Sequence, residues 1–430
     1  MKTNLKIIKE LLPFTRWYRR KDAKISRIEI VDHARLKETA WLLIRCFSAN
    51  KKSDLYSLAL KNNVITEKEW LTDLLQIFES TNAIATANGG KLFLDKPAGR
   101  DIPVPQDFKM LRGEMSNSIA VLDNSITAKF LRCPQPGINP DTEISSELAA
   151  ANFPHSPAYH GRISYADKKE KTYELITFGE FIRGASDGWS YVQAALAEKK
   201  HEGLFKFIEA CAEALAGLHL QFAAVNKKTF QPEPVNPAFI KKWLSGLKAT
   251  KERTKSVIKK FPACKIKAHD IDSAFNKIGK KLSAHDSGML IRQHGDFHLG
   301  QVIRNEKGKV YLLDFEGEPI VQLKDRLKKF LPLKDVAGFT RSLHYASVAA
   351  LLMRKTDDEK GLKHWHEKAR DIFLAKYFKQ IKGAAFAPKA PGTLLAAMEL
   401  EKALYELQYE IQNRPDWVRI PLEGIKEIVK

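Results

Sequence analysis

The sequence predicts an α+β chain of two lobes, a smaller strand-rich one followed by a larger helical one, with a further subdomain ahead of both. Three observations predict it. Between residues 108 and 182 the apolar pattern is mainly that of half-buried strands, broken by one helical stretch at 142–152. From Gly188 onward helical periodicity takes over, and residues 204–222 carry Ala212, Leu215, Ala216 and His219 at helical spacing. Ahead of both, the chain to about residue 95 mixes short helical patterns with strand candidates and ends in a polar, proline-containing linker, 95–106. The expected division is therefore 1–95, 96–183 and 184–430.

Each element has its local reason. Ile28-Glu29-Ile30-Val31 and Lys91-Leu92-Phe93-Leu94 are short strand candidates of the first segment. In the second, Ile119-Ala120-Val121-Leu122 and residues 125–131 flank the turn Asp123-Asn124 and read as a hairpin, with Tyr173 to Ile176 as another strand. In the third, a small strand pair at 301–305 and 310–315, turning at Glu306-Lys307-Gly308-Lys309, interrupts the helices. Near the end, residues 397–412 form a helical pattern with Leu400, Ala403, Leu404, Leu407 and Ile411 in one apolar stripe.

Composition narrows the function. A chain of 430 residues, 44% hydrophobic and 10% aromatic, is too long for one ordinary core and apolar enough to bury several. No run approaches the roughly 18 apolar residues of a membrane span, and the first ten residues lack the apolar centre of a secretory signal, so a soluble, cytoplasmic protein without a membrane partner is expected. Lys and Arg exceed Asp and Glu by 71 to 51, a formal +20, which fits an anionic partner. The basic residues are spread, with short clusters only at Arg19-Arg20-Lys21, Lys259-Lys260 and Lys328-Lys329. A lysine-rich solvated surface is the simpler account, and no nucleic-acid partner is expected. Cys46, Cys133, Cys211 and Cys264 have no C-x-x-C spacing, which argues against a zinc site and a disulfide framework.

The densest chemistry is His294-Gly295-Asp296-Phe297-His298-Leu299-Gly300-Gln301, followed after the short hairpin by Leu313-Asp314-Phe315-Glu316-Gly317-Glu318. Phosphoryl transfer to a hydroxyl needs a carboxylate to orient and deprotonate the acceptor, and oxygen ligands to hold Mg²⁺ against the triphosphate of ATP. Acid, amide, hairpin and acid occur here in that order. Asp296 is the candidate base, and Gln301, Asp314 and Glu316 are the candidate metal ligands.

These residues resemble the maltokinase family, relatives of the aminoglycoside phosphotransferases with a eukaryotic-kinase-like fold. H-G-D-F-H-L-G-Q with L-D-F-E-G-E-P is closer to that family than to the H-R-D and D-F-G of protein kinases. The resemblance continues through Leu333-Lys334-Asp335-Val336-Ala337-Gly338 to Arg341-Ser342, and through Glu401-Lys402-Ala403-Leu404-Tyr405-Glu406 to Arg414-Pro415-Asp416-Trp417. Upstream it includes Gly113-Glu114-Met115-Ser116-Asn117-Ser118, residues 137–143 and Glu180-Phe181 through Asp187-Gly188-Trp189. It implies a bilobal protein-kinase-like fold with an N-terminal cap. The cap's arginine-tryptophan loop stands here as Arg16-Trp17-Tyr18-Arg19-Arg20-Lys21, with two of the family's glycines replaced by arginines.

The resemblance also assigns roles. Alternation turns Lys129 away from Ile126, Ala128 and Phe130, and the family places such a lysine on the α/β-phosphates. Glu143 would hold it, with Glu147 one turn on as the competing partner. Ser116, Asn117 and Ser118 sit where kinases carry a phosphate-covering loop, and Glu180, Phe181 and Ile182 resemble the hinge that pairs the adenine edge. On the wheel of the last long helix, Lys402, Tyr405, Glu406, Tyr409 and Asn413 share one side, and the two tyrosines suit a sugar platform. His298 is a candidate contact to sugar or backbone. Arg341 either pairs with Asp335 to fix the loop or touches the sugar. His219 reads as a satisfied core histidine.

The expected activity is ATP- and Mg²⁺-dependent phosphorylation of maltose at its anomeric hydroxyl, giving maltose 1-phosphate for α-glucan synthesis, with a trehalose synthase as a possible partner. A kinase for glucosamine or another small sugar is the alternative within enzymes, with Glu406 available to an ammonium group. A non-catalytic nucleotide-binding regulator of such a synthase is the alternative of another class.

Overall fold

The computed structural model describes residues 5–20, 24–49, 52–111, 117–199, 201–260, 267–279, 282, 287–318, 321–353 and 356–429. Ser116, Lys21 and Cys264 lie outside them. The chain divides into two compact units, residues 1–150 with 157–183, and residues 151–156 with 184–430.

The first unit begins with α1 (Leu5–Leu11) and a four-stranded antiparallel sheet of β1 (Ile25–Arg35), β2 (Ala40–Ser48), β3 (Ser53–Lys61) and β4 (Val64–Ile65), in that order. After α2 (Lys68–Phe78) come β5 (Ala83–Ala85), β6 (Lys91–Asp95), β7 (Phe108–Met110), β8 (Ser118–Leu122), β9 (Ile126–Phe130), α3 (Pro140–Ala150), β10 (Tyr159–Ala166) and β11 (Thr172–Glu180). These seven strands form one sheet in the order β5-β6-β10-β11-β9-β8-β7. The hairpin β8–β9 turns at Asp123 and Asn124, whose φ of 46° and 52° match the strand twist.

β2 is apolar on both faces because both are covered. Leu42, Ile44 and Cys46 pack with Ile8, Leu12, Trp17 and Tyr18, whereas Trp41 and Leu43 join a second core with Trp70, Leu71, Phe130, Ile163 and Phe178. That second core spans the expected boundary at residue 95. β6 pairs with β10, Leu94 opposite Ile163, and together with β5 covers an edge of β10 that would otherwise be open. The first 95 residues are thus continuous with the seven-stranded sheet. Buried Asp32 on β1 ties them further, accepting from Thr86 and from the Tyr165 hydroxyl at 2.7 Å. Arg20, one of the two arginines of the altered loop, ion-pairs with Asp54 on β3.

The second unit is mainly helical: α4 (Gly188–Ala197), α5 (His201–Ala224), α6 (Pro237–Lys259), α7 (Ala268–Gly279), the short α8 (Leu323–Arg326), α9 (Leu333–Leu352), α10 (Glu359–Gln380), α11 (Pro391–Asn413) and α12 (Arg419–Val429). Among them lie β12 (Ser186–Asp187), β13 (Glu233–Pro234), β14 (Met289–Leu290), β15 (Val302–Arg304) and β16 (Val310–Leu312), with β12, β15 and β16 in one small sheet. α9 is buried along most of its length, against α4, α10, α11 and α12. β16 stops at Leu312, short of the expected Phe315, because Asp314 turns into left-handed backbone at φ 62°.

Candidate active site

The loop between β14 and β15 carries Asp296, and one face of α9 holds it. Asp335, Gly338 and Ser342 lie on that face at helical spacing. The Asp335 carboxylate accepts the backbone N–H of His294 and of Gly295, each at 2.9 Å. The Ser342 hydroxyl accepts the N–H of Leu299 at 3.2 Å. Gly338 lets the helix come so close that a Cβ there would stand 2.5 Å from the Phe297 carbonyl oxygen. Gly295 needs no side chain either, since its φ is +88°. The His294 ring donates through Nε2 to the Leu313 carbonyl at 2.9 Å, joining the Asp296 loop to the Asp314 loop. Asp335 is buried, which opposes its charge, yet His219, the neighbouring His294 ring and the Gly295 N–H hold its pKa below the usual carboxylate range.

Asp296 lines a cavity of about 510 Å³ with Glu318, Lys334, Thr250 and Arg253, and with Met398, Glu401, Lys402, Tyr405, Gln408, Tyr409 and Gln412 of α11. Lys402 Nζ stands 3.1 Å from Asp296 Oδ1 and 3.2 Å from Glu318 Oε1. Burial works against each charge, but the attraction wins: the Asp296 pKa is lowered and the Lys402 pKa raised. Glu401 accepts from the Trp243 indole at 3.0 Å, and burial pushes its pKa up.

Asp314 and Glu316 each offer a carboxylate oxygen, the two within 4.8 Å of one another. The Gln301 amide lies 3.4 Å from Asp314 Oδ2. Gln301 donates through Nε2, so the oxygen donors placed together are the two carboxylates, a hard set of the kind a small divalent cation such as Mg²⁺ takes, and they fit that ion. Arg326 lies 3.7 Å from Glu316 Oε2 and donates to the Glu316 carbonyl at 3.1 Å.

In the first unit, Lys129 Nζ stands 3.0 Å from Asp141 Oδ2. Asp141, at the first turn of α3 and two residues before the expected Glu143, thus makes one contact of the lysine and is a residue that sequence reasoning missed. Ser118, expected in a phosphate-covering loop, opens β8 instead, and its Oγ accepts from Arg132 Nε and Nη2 at 3.1 and 3.0 Å. The fully buried Arg132 claims it and pairs also with Glu67. Asn117 is described one residue ahead of β8. At the hinge, the N–H groups of Glu180 and Phe181 donate to the Ala158 and Ser125 carbonyls at 2.8 Å, so those donors are used within the sheet and are not offered to a nucleotide base. Ile182 follows at the end of the strand.

The helix α11 corrects the expected sugar face. Lys402, Tyr405 and Tyr409 line the cavity, whereas Glu406 turns to Arg341, whose Nη2 lies 2.6 Å from Glu406 Oε2. Arg341 therefore pairs with Glu406, not with Asp335, and neither lines the cavity. The wheel explains the difference. Glu406 is about 100° from Tyr405, on the side of Glu399 and Glu410. Those carboxylates face α9 and its surroundings, Glu399 bonding Thr340 and Glu410 bonding Tyr345. The cavity face is centred on Tyr405 and adds Gln408 and Gln412, which the sequence pattern did not mark, and Glu401, which stood in the quoted motif without a role. Glu318 stood in the quoted motif without a role. His298 does not line the cavity. Its Nδ1 accepts the Gly300 N–H at 3.0 Å, its Nε2 lies 4.0 Å from Asp296 Oδ2, and burial lowers its pKa, which keeps the ring neutral.

Comparison with known proteins adds the fold. No family model matches the chain. A glucosamine kinase of Mycolicibacterium smegmatis is 21% identical over 315 residues, 72% of this chain and 76% of the relative. A glucosamine kinase of Streptacidiphilus jiangxiensis is 22% identical over 327 residues, 74% and 72% of the two chains. Among solved structures, a glucosamine kinase in crystal form B superposes with a TM-score of 0.72 at 17% identity, covering 98% of each chain. A glucosamine kinase in complex with glucosamine, ADP and inorganic phosphate gives 0.70 at 17% identity, covering 98% of this chain and 99% of that one. The chain has the α+β, kinase-like fold of those glucosamine kinases from end to end.

Proposed function

We propose that the protein is an ATP- and Mg²⁺-dependent sugar kinase, and that its acceptor is an amino sugar of the glucosamine class. The observation that carries this reading is Asp296: a carboxylate held ionised by Lys402, on a loop fastened by its own backbone, at the wall of a cavity of sugar-binding size. The two relatives and the two solved structures named above are glucosamine kinases by name, which favours the amino sugar over maltose. Glu318 and Glu401 add acceptors for an ammonium group to the cavity wall.

Asp296 orients the acceptor hydroxyl in line with the γ-phosphoryl group and takes its proton as the new P–O bond forms and the bond from that phosphorus to the leaving ADP breaks. A carboxylate with a lowered pKa is a weak base, which suits a loose transition state where the proton leaves late. Lys402 keeps Asp296 charged. Tyr405 and Tyr409 offer ring faces and hydroxyls to the sugar. Lys129, steadied by Asp141, is the proposed cation for the triphosphate. Gln301, Asp314 and Glu316 would hold Mg²⁺, which when bound neutralises charge on the phosphates.

The test is ³¹P NMR of the purified protein with Mg²⁺-ATP and, separately, glucosamine, N-acetylglucosamine, glucose and maltose, beside an Asp296→Asn control. A new phosphomonoester with glucosamine, reduced about a thousandfold in the variant, is the expected result. Turnover of maltose in preference to glucosamine would overturn the amino-sugar assignment. Turnover of no sugar, with ATP still bound, would overturn the kinase reading.

A further inference from the structure

Two separate lines of contact run from the loop bearing Asp296 into the helical core, and both end on Tyr377 of α10. The first is polar. Asp335, which accepts from His294 and Gly295, also lies 3.0 Å from His219 Nε2 through Oδ2, and His219 Nδ1 lies 2.7 Å from the Tyr377 hydroxyl. The second is aromatic. Phe297, next to Asp296, stacks on Phe339 with centroids 5.1 Å apart, Phe339 on Phe373 at 4.4 Å, and Phe373 on Tyr377 at 6.4 Å with the planes only 8° apart. His219 and Tyr377 are fully buried, Asp335 almost so. Burial pushes the Tyr377 pKa up, so its hydroxyl keeps its proton.

We infer that Tyr377 and His219 are positioning residues of the active site, setting Asp296 through the chain Tyr377–His219–Asp335–Gly295. An ionised carboxylate only accepts, so His219 Nε2 must carry the proton that faces Asp335. Nδ1 then accepts from the Tyr377 hydroxyl, which lies 2.7 Å away and carries its own proton. The hydroxyl thus selects the tautomer. Without it, the ring is free to place its proton on Nδ1 and turn a lone pair toward a buried carboxylate. Asp335 then loses a donor, and the loop that it holds by two backbone bonds loosens. His219, the satisfied core histidine of the sequence reading, is satisfied by groups that lead to the reacting carboxylate.

This inference rests on the reading of Asp296 as the catalytic base, and its test separates the two. Tyr377→Phe removes one oxygen and keeps the aromatic stack, so the variant should fold. Its kcat for the sugar is expected to fall about tenfold with the KM values for ATP and sugar within about twofold, since misplacing a base costs rate and leaves binding alone. His219→Gln supplies an amide donor to Asp335 that needs no tautomer. In that background Tyr377→Phe should cost nothing further in kcat, whereas a hydroxyl that merely supports packing would cost the same in both. An equal loss in the two backgrounds, or no loss in the single variant, overturns the inference. Nitrogen-15 NMR of the His219 ring gives an answer independent of turnover. Proton on Nε2 in the parent and a gain of the Nδ1 form in Tyr377→Phe are expected, and an unchanged tautomer overturns the inference even where the sugar assignment holds.

Discussion

Lys402 Nζ lies between two carboxylates, 3.1 Å from Asp296 and 3.2 Å from Glu318, so the cation that charges the candidate base comes from α11, 106 positions further along the chain. The loop and the helix must both be in place before Asp296 has its low pKa.

Replacing Lys402 by Met should therefore change the pH profile as well as the rate. The Asp296 pKa rises when its nearest cation is removed, and only the ionised form serves as base. The acidic limb of kcat/KM should move to higher pH, with the variant about tenfold more impaired near pH 5 than near pH 8. A profile parallel to that of the parent would refute the pairing.

Asp335→Asn should destabilise the protein by about 3 kcal/mol, because an amide cannot accept two backbone N–H groups and a histidine N–H as a carboxylate does. The pH dependence has a definite sign. The folded pKa of Asp335 is depressed, so its contribution is present above the unfolded value of about 3.9 and is lost as pH falls through the folded value. Urea unfolding from pH 7 downward should show the parent losing stability faster than the variant.

Glu406→Ala and Tyr405→Ala should separate two roles that adjacent residues play. The first leaves the buried Arg341 guanidinium without its carboxylate and should cost about 3 kcal/mol of stability, with little change in the KM for sugar. The second removes a cavity wall and should raise that KM while leaving the KM for ATP alone. Thermal unfolding beside steady-state kinetics checks both.

Gly338→Ala places a methyl group 2.5 Å from the Phe297 carbonyl oxygen, and backbone must move to admit it. A loss of about 1–3 kcal/mol in stability and about tenfold in kcat is expected. Circular dichroism melts and a coupled ADP assay would detect the two effects.

Much of this was legible in the chain, because local rules decide it. The alternation of residues 118–130 around Asp123-Asn124 gives β8 and β9, and the order of Asp296, Gln301, Asp314 and Glu316 lies in one short stretch where neighbours in sequence stay neighbours in space. The face of α9 was half visible, since Asp335 and Gly338 stood in the quoted motif, Asp335 with Arg341 as its expected partner and Gly338 with none. The edge pairing of β6 with β10 was not visible, because register between distant strands depends on which edge the rest of the sheet leaves open.

The sequence by itself determined the α+β order, the strand and helix periods, and the residue types of the Asp296 and Asp314 loops, since each follows from spacing along a few tens of residues. Tertiary structure alone decided which charge meets which: Lys402 with Asp296, Glu406 with Arg341, Asp141 with Lys129, and His219 between Tyr377 and Asp335. A helical wheel ranks faces but does not say what packs against each one. A rotation of about 100° on α11 separates a carboxylate turned to a buried arginine from a tyrosine that lines the cavity, and only the packing of α11 on α9 sets that choice.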